Sequence, residues 1–504
     1  MTGWTVTPEV AQHLSAGIGQ IQADYAGWQS RNLNLDLQRG KPSPEQLDLS
    51  AALLADLPPG GHISEEGFDV RNYGGADGLI ELRRIFAELL NVPAAQLLAL
   101  GNASLRLEYD TIVFALLFGV PGGEGSWLSQ MPVKFLCPTP GYDRHFAICE
   151  SLGIEMIPIP MLPDGPDMSV VTALVSDDPA IKGMWLVPTY ANPTGITISE
   201  PVARQLFSMP TAAPDFRIFW DDAYGLHHLT DRVAAAHPVL EMAAAGGHPD
   251  RLLVFASTSK ITFATAGIAF VAASPANLAW LRSRLGVQSI GPDKVNQLRH
   301  ARYLKTAAGV RELMVKHREL IRPKFTAMDG VLRRRLADTP GIARWVLPEG
   351  GYFISLEVLP GTAKRVVELA AGAGLALTPA GSAFPYGTDP LDSHIRLAPT
   401  MPSVADVELA TEVLATCIHL AAAEKLSGGV AAGTVVSSRS VGSVTDGGES
   451  ADGQGGVDAL LADFGDGIRT VPDSIRVARG GFERGTEPVE VTGLNARLNH
   501  RDDS

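Results

Sequence analysis

The stretch Leu252-Leu253-Val254-Phe255-Ala256-Ser257-Thr258-Ser259-Lys260 decides the fold, because it joins an apolar run to a polar turn that carries a lysine. A short apolar run bounded by small polar residues is typical of a buried strand. Desolvation at the end of such a strand lowers the pKa of a lysine toward the range in which the free amine can attack a carbonyl, which is the chemistry of a Schiff-base lysine. An ordinary Ser/Thr-rich turn with an exposed lysine has the same pattern, so the interpretation of Lys260 depends on the rest of the chain.

The composition limits the class of protein. With 504 residues, 45% of them hydrophobic, the chain can bury a large core and fill more than one domain. The net charge of -14 argues against nucleic acid or an anionic membrane as a partner. The cysteines Cys137, Cys149 and Cys417 show no framework spacing. The first residues have no basic region followed by an apolar core, so we expect no signal peptide, and no apolar run reaches the roughly 18 residues of a membrane span. We therefore expect a soluble, cytoplasmic protein without nucleic-acid or membrane partners.

Short apolar runs alternate with helical stretches in the middle of the chain, which predicts parallel strands joined by crossover helices. Three of these runs end in polar residues: Met184–Val187, Arg217–Trp220 and Leu252–Phe255. Ligands of such sheets bind beyond the carboxyl ends of the strands, so we expect Asn192, Asp221, Tyr224 and Lys260 to converge. A buried Asp221 requires a cationic partner, and a protonated ring nitrogen would serve.

A second pattern predicts an anion site. Leu97–Gly101 reads as a short buried strand, and the turn Asn102-Ala103-Ser104 then opens a long apolar helix to about Phe118. The first N–H groups of a helix lack internal partners and lie at the positive end of its dipole, so they attract a phosphate. An ordinary Asn N-cap would give the same sequence.

Two loops are candidate ligand contacts. Tyr142 follows the strand Lys134–Cys137 on a proline-stiffened turn, where it either packs in the core or stacks on a planar ligand. Gly40 follows the predicted strand Leu33–Leu37, in a turn that is either a surface loop or a point of close backbone approach to a ligand.

Taken in order, these motifs resemble the class I aminotransferases of pyridoxal-phosphate fold type I, most closely the long bacterial aspartate aminotransferases. The resemblance covers about residues 30–420 and rests on Tyr73, the turn 102–104, Tyr142, "NPTG" from Asn192, "DDAY" from Asp221, "STSK" at 257–260 and "HIRLAPT" around Arg396. It implies an α/β fold, with a large domain built on a mainly parallel sheet flanked by helices and a smaller α+β domain.

The resemblance also implies the activity: transamination between an amino acid, best L-aspartate or L-glutamate, and a 2-oxo acid, with pyridoxal 5'-phosphate as cofactor. It implies a homodimer with shared active sites. Another reaction on the same cofactor, such as that of a lyase or decarboxylase, and a non-catalytic ligand-sensing homologue are the alternatives. The domains would be 1–65 (N-terminal segment and part of the small domain), 66–320 (large cofactor-binding domain), 321–426 (C-terminal small domain) and 427–504, a Gly/Ser-rich tail predicted to be mostly disordered with one weak helix at 457–464.

The roles of the catalytic residues follow from the same resemblance. Lys260 would carry the cofactor as a Schiff base and move the proton of the substrate α-carbon. Asp221 would keep the ring nitrogen protonated, with Asp222 as its first alternative. Asn192 and Tyr224 would donate hydrogen bonds to the ring oxygen, and Tyr142 would stack on the ring.

The remaining binding roles are also carried over by resemblance. The phosphate would be held by Ser257, Asn102, Ala103 and Ser104, with Tyr73 reaching in from the neighbouring subunit. His145 would support Asp221, unless it is an ordinary surface histidine. Arg396 would bind the substrate α-carboxylate with its planar fork.

Two points depart from the family pattern or lie beyond it. The family has an arginine about eight residues after the lysine, but here this region reads Thr265-Ala266-Gly267-Ile268, so another cation or more hydrogen bonds must hold the phosphate.

A dicarboxylic substrate also needs a second cation to bind its distal carboxylate. Arg144 is the candidate, and Arg39, beside Gly40, is the next. No metal site is expected, because His227-His228 has no acidic or thiol partner at ligand spacing.

Overall fold

The structure is a computed structural model that describes residues 4–431, with side chains described up to residue 428. The predicted weak helix at 457–464 and most of the predicted tail lie outside this range. Within residues 4–431, no helix combines the length and the apolar character needed to cross a membrane.

The helices of the described chain are α1 (Pro8–Ser30), α2 (Pro44–Asp48), α3 (Ile80–Leu90), α4 (Ser104–Phe118), α5 (Asp143–Ser151), α6 (Met168–Asp177), α7 (Glu200–Ser208), α8 (Val239–Ala245), α9 (Pro275–Gln288), α10 (Lys294–Leu304), α11 (Ala307–Arg335), α12 (Ala363–Gly372) and α13 (Val404–Ala431). Many begin at a side chain that accepts a hydrogen bond from the first turn, as Asp167 does for α6 and Ser199 for α7.

The strands are β1 (Leu35–Asp36), β2 (Leu97–Ala99), β3 (Lys134–Thr139), β4 (Glu155–Leu162), β5 (Gly165–Pro166), β6 (Ile181–Leu186), β7 (Arg217–Asp221), β8 (Leu252–Ser257), β9 (Ala269–Ala273), β10 (Ala343–Trp345), β11 (Ile354–Val358), β12 (Leu375–Ala376) and β13 (His394–Leu397). The large sheet has the order β2-β9-β8-β7-β6-β3-β4-β5. Its central pairs, from β4 to β8, are parallel, whereas β9 runs antiparallel to both β2 and β8. The predicted α/β fold with a mainly parallel sheet is confirmed.

The large sheet is buried on both faces, which is why its strands are almost wholly apolar. Along β8, Leu252 and Val254 enter the core on one face, whereas Leu253 and Phe255 enter the core on the other. This alternation follows from the two-residue period of a strand. Charged and polar residues of these strands lie near their ends: Lys134, Lys182 and Arg217 toward the amino ends, and Asp221 and Ser257 at the carboxyl ends.

A second hydrophobic core surrounds the antiparallel sheet β10-β11-β13. It includes Leu356 and Leu397 from that sheet, Leu14 from α1 and Val413 from α13. These elements form the smaller α+β part of the fold.

Helix α11 belongs to both cores. Its first half contributes Val310 and Leu313 to the core of the large sheet, and its second half contributes Phe325 and Met328 to the second core. Pro323 lies within the helix, between these two halves. Because proline has no N–H, the helix lacks one backbone hydrogen bond at this turn.

Two predicted boundaries are corrected. The predicted strand Leu33–Leu37 shrinks to two residues, since it pairs only with the two-residue β12. Helix α13 continues to Ala431, past residue 427 where the tail was expected to begin.

Candidate active site

Lys260 lies just beyond the carboxyl end of β8, half-buried, at the edge where β6 and β7 also end. Its Nζ is 4.8 Å from the centroid of the buried Tyr224 ring. The Lys260 carbonyl oxygen accepts a hydrogen bond from His227 Nε2 at 3.2 Å, and the next carbonyl, of Ile261, accepts one from His317 Nε2 at 2.9 Å. The backbone of the lysine is therefore fixed while its amine is free to react.

Both histidines that hold this backbone are buried. Burial lowers the pKa of His227 to about 3 and that of His317 to about 4, so both rings are neutral at physiological pH. A neutral ring with its proton on Nε2 can donate to a carbonyl oxygen without placing a second positive charge beside Lys260.

Asp221 ends β7, and 4% of it is exposed. Its Oδ2 lies 3.3 Å from His145 Nε2, while its Oδ1 is buried without a hydrogen-bond partner among the described residues. The neighbouring Asp222 packs against Gly225, and burial together with Asp221 raises the pKa of Asp222 to about 6. Asp222 Oδ1 is likewise buried without a partner among the described residues, but the raised pKa of Asp222 disfavours the ionised form that would pair with a cationic group of a ligand, so Asp221 is the better partner.

His145 is held from several sides. Its ring stacks on Trp185 with 4.1 Å between centroids and 6° between planes, and the Tyr142 ring meets it edge-on at 4.9 Å. Nε2 also lies 3.5 Å from Glu108 Oε2, although neither carboxylate contact has the angles of a hydrogen bond. Burial alone would lower the pKa of His145, but the two carboxylates outweigh it and raise this pKa to about 9.

The predicted anion site differs in detail from the expectation. Helix α4 begins at Ser104, and its N-cap residue, Ala103, provides no side-chain hydrogen bond, so the first N–H groups are not satisfied by any described side chain. Asn102 does not cap the helix, because its Nδ2 donates to the Thr265 carbonyl oxygen at 2.8 Å. Ser259 Oγ donates to the Asn102 carbonyl oxygen at 3.4 Å, which ties this turn to the end of β8 near Ser257. The turn 102–104 and the turn that follows β8 therefore lie side by side, and Ser104 is in the first turn of α4.

Two of the four residues that replace the family's arginine, Gly267 and Ile268, are closely packed, whereas Thr265 and Ala266 are exposed. A Cβ at Gly267 would lie 3.0 Å from Thr258 Oγ1 and 3.2 Å from the Ser259 nitrogen, and Ile268 is buried in the sheet core. Asn296 on α10 instead donates to the carbonyl oxygens of this turn.

Arg396, on β13, lies beside the site with 7% of its surface exposed. Its Nη1 donates to Asn192 Oδ1 at 3.4 Å and to Asp143 Oδ1 at 3.0 Å, and its guanidinium carbon is 5.1 Å from the centroid of the Phe353 ring. Gly40 packs on the same ring, where a Cβ would approach Phe353 Cζ to 2.6 Å. The predicted Gly40, Asn192 and Arg396 are therefore brought together.

Other predicted residues lie apart from this cluster. Arg144 and Arg39 are exposed, and 77% of Tyr73 is exposed. Their predicted roles in binding the distal carboxylate and in reaching a partner subunit stay predictions.

Sequence reasoning missed several residues of the site: Glu108, Asp143, Trp185, His227 in its role at the Lys260 backbone, and Phe353. Of these residues, only Glu108 could have been recognised from the sequence, because it is an acid among apolar residues in the helix that follows the predicted anion site. The Glu108, His145 and Asp221 ligand atoms lie within 4.8 Å of one another, a spacing that a metal could also use. The prediction of no metal stays a prediction.

Comparison with known structures defines the class of the protein. A crystal structure of an aspartate transaminase from Corynebacterium glutamicum matches 84% of this chain and 100% of that chain, with a TM-score of 0.81 and 46% identity. A crystal structure of α-aminoadipate aminotransferase from Thermus thermophilus, complexed with N-(5'-phosphopyridoxyl)-L-leucine, matches 82% of this chain and 97% of that chain, with a TM-score of 0.62 and 22% identity. The fold is thus that of the aminotransferases.

Sequence comparison gives the family. The family model described as aspartate amino-transferase matches residues 10–429. Over 404 residues the chain is 50% identical to the aspartate aminotransferase of Corynebacterium glutamicum, which covers 80% of this chain and 93% of that protein. The chain belongs to the aspartate aminotransferase family, and the resemblance predicted from its motifs is confirmed.

Proposed function

We propose that this aminotransferase uses pyridoxal 5'-phosphate to transfer the amino group of L-aspartate or L-glutamate to a 2-oxo acid. The observation that carries the proposal is a buried carboxylate oxygen, Asp221 Oδ1, that lacks a partner among the described residues, at the same edge of the sheet as Lys260, whose Nζ lies over the Tyr224 ring. When bound, the cofactor supplies an electron sink for the substrate α-carbon.

The residues present fit this cofactor. The unpaired Asp221 Oδ1 suits a protonated ring nitrogen, because a buried carboxylate without a cation is costly. The uncapped start of α4, together with Ser104 and Ser257, suits the phosphate group. Tyr142, edge-on to His145, would stack on the ring, and the Tyr224 hydroxyl and Asn192 would hold its oxygen.

The chain's own residues would perform the proton transfer. Lys260 Nζ, held by its fixed backbone over the Tyr224 ring, is positioned to take and return the proton of the substrate α-carbon. Arg396 would bind the substrate α-carboxylate, and Asn192 Oδ1 orients the guanidinium for this purpose. The preference for dicarboxylic substrates is supported by the 50% identical relative named as an aspartate aminotransferase.

We propose, further, a cytoplasmic homodimer in which Tyr73 completes the partner's site. Its 77% exposure supports this, because an exposed aromatic side chain is well suited to an interface. The reduced compartment is supported by Cys137, Cys149 and Cys417, which are buried and free. The two cores support the predicted division of the chain into a large domain at 66–320 and a small domain formed by 1–65 and 321–426.

Replacing Lys260 by Ala tests the proposal. We expect loss of the visible absorbance of the covalently bound cofactor and a fall of several orders of magnitude in transamination of aspartate, because both the anchor and the proton carrier are removed. The exposed Lys316→Ala is the matched control and should keep wild-type rates. Thermal unfolding of both variants shows that they fold, and near wild-type turnover of Lys260→Ala would refute the assignment.

A further inference from the structure

Glu108 is a buried acid in contact with the active-site histidine. It lies on α4, no part of it is exposed, and its Oε2 is 3.5 Å from His145 Nε2. Neither carboxylate oxygen has a hydrogen-bond partner among the described residues. A fully buried carboxyl group without a hydrogen bond is costly, so its place beside the histidine calls for an explanation.

The imidazole of His145 is confined so that Nε2 points between two acids. Trp185 covers one face of the ring and Tyr142 meets its edge. Asp221 Oδ2 lies 3.3 Å from the same Nε2 that Glu108 approaches. Two carboxylates this close repel each other in a medium of low dielectric constant, and a cation between them removes the repulsion.

We propose that Glu108 is a positioning residue that acts through His145: together with Asp221 it holds the imidazole in its cationic form beside Asp221 Oδ2, and so leaves Oδ1 available to the ring nitrogen that the cofactor would bring. The role of Oδ1 rests on the proposed function. The role of Glu108 in holding His145 rests only on the contacts within the chain.

The charge balance supports this role. When both carboxyls are ionised and His145 is protonated, the cluster carries one net negative charge, which matches one protonated ring nitrogen. Burial and then the charge of Asp221 raise the pKa of Glu108 to about 7, so this balance is sensitive near neutral pH. The other titratable groups that interact with members of the cluster are Lys260, Asp222, Tyr142, Tyr224 and Cys149.

The protonation of His145 can be measured directly. Solid-state nitrogen NMR of the full chain, labelled with nitrogen-15 histidine, reports whether each ring is imidazolium or neutral, and the His145→Asn variant assigns the signal. In wild-type protein at pH 7.5 we expect an imidazolium, with and without added pyridoxal phosphate. In Glu108→Gln the midpoint of the titration should fall by about one pH unit or more, a tenfold loss of proton affinity.

Kinetics on the holoenzyme add a second readout. Glu108→Gln should lower kcat for aspartate about tenfold with KM changed by less than about twofold, because the substrate contacts are untouched. Glu108→Asp, which keeps the charge, should restore part of both effects. Glu81→Gln is the matched control. Glu81 is also buried, and its Oε2 has no hydrogen-bond partner among the described residues, but its Oε1 accepts a hydrogen bond from the Glu65 N–H and not from the active-site cluster. The substitution should change neither the titration midpoint nor kcat.

Each outcome decides the proposal. A neutral His145 in wild-type protein at pH 7.5, or an unchanged midpoint in Glu108→Gln, overturns it, and the wild-type measurement suffices if the variant does not fold. The titration without added cofactor separates this proposal from the proposed function. If the protein bound no pyridoxal phosphate, the proposed function would fail while the titration still decided the role of Glu108.

Discussion

Arg396 is already paired within the chain. Asp143 Oδ1 lies 3.0 Å from its Nη1, and the Asp143 side chain is 31% exposed at the mouth of the site. A substrate carboxylate that binds Arg396 therefore competes with Asp143 for Nη1, whereas Nε has no hydrogen-bond partner among the described residues. Because Asp143 and Arg144 are adjacent at the start of α5, substitutions at the two positions separate α-carboxylate binding from distal-carboxylate binding.

Kinetics on aspartate, glutamate and phenylalanine distinguish the two effects. Arg144→Ala should cost the dicarboxylic substrates about 2 kcal/mol in kcat/KM and phenylalanine far less, if Arg144 binds the distal carboxylate; its exposure places the loss at the low end for a charge pair. Asp143→Asn should lower KM for all three substrates alike, because it removes the internal competitor. A uniform loss in Arg144→Ala would contradict the distal role.

The sequence located the residues that follow a strand, and failed for those whose position depends on packing. Asn192, Asp221, Tyr224 and Lys260 were found because the ends of parallel strands share one edge. Asp143 was missed because its contact with Arg396 joins α5 to β13 across 253 residues of sequence. Trp185 was missed because an aromatic residue in a strand has the same pattern whether it packs in a core or stacks on a histidine.

At the scale of elements, the glycine of β6 controls how tightly the central strands pack. The Phe135 ring of β3 lies over Gly183, where a Cβ would approach its Cζ to 2.3 Å. The neighbouring strand can move little, because β6 is paired on both sides. A larger residue at this position must therefore displace the ring into the core.

Gly183→Ala should lower the free energy of unfolding by about 1–3 kcal/mol, the usual cost of overpacking a core. Gly286→Ala on α9 is the control, since nothing lies within 4 Å of a Cβ there, and it should be neutral or stabilising by up to about 1 kcal/mol. Denaturant unfolding of both variants measures the difference. Equal stability of the two would show that Phe135 relaxes without cost.

Element type was more predictable than element boundaries. The apolar runs at β6, β7 and β8 were correctly predicted to be strands, because a strand that is buried on both faces is apolar along its whole length. The predicted strand Leu33–Leu37 was too long, since its extent is set by pairing with the two-residue β12, more than 300 residues away, which no local pattern records. The antiparallel β9 was not anticipated, because a reversal of direction after the lysine turn has no signal in hydrophobicity.

For the whole molecule, the neutral histidines at the Lys260 backbone link stability to pH. The pKa of a histidine in an unfolded chain is about 6.5, and in the folded protein the values for His227 and His317 lie below it, at about 3 and about 4. Below pH 6.5 the unfolded state binds protons that the folded state does not, so acid destabilises the fold. Glu108 and Asp222, with raised pKa values, act in the opposite direction.

The difference between variants isolates this contribution. Between about pH 6 and pH 4.5, the unfolding free energy of wild-type protein should fall about 1.4 kcal/mol more per pH unit than that of His317→Gln, which has one buried histidine fewer. The exposed His13→Gln should keep the wild-type slope. Urea unfolding at several pH values measures the slopes, and parallel curves for wild type and His317→Gln would contradict the assignment of a neutral ring.

The proline of α11 has a mechanical consequence. One continuous helix joins the two cores: its last residue in the core of the large sheet is Met314, its first in the second core is Ile321, and Pro323 follows two residues later. Because a helix bends most easily where a backbone hydrogen bond is missing, a bend of α11 would occur at this turn. His317 lies on the same helix, less than two turns before the proline, and its ring is bonded to the carbonyl oxygen of Ile261, next to Lys260. A bend there would therefore act close to the contact that holds the backbone carrying the amine.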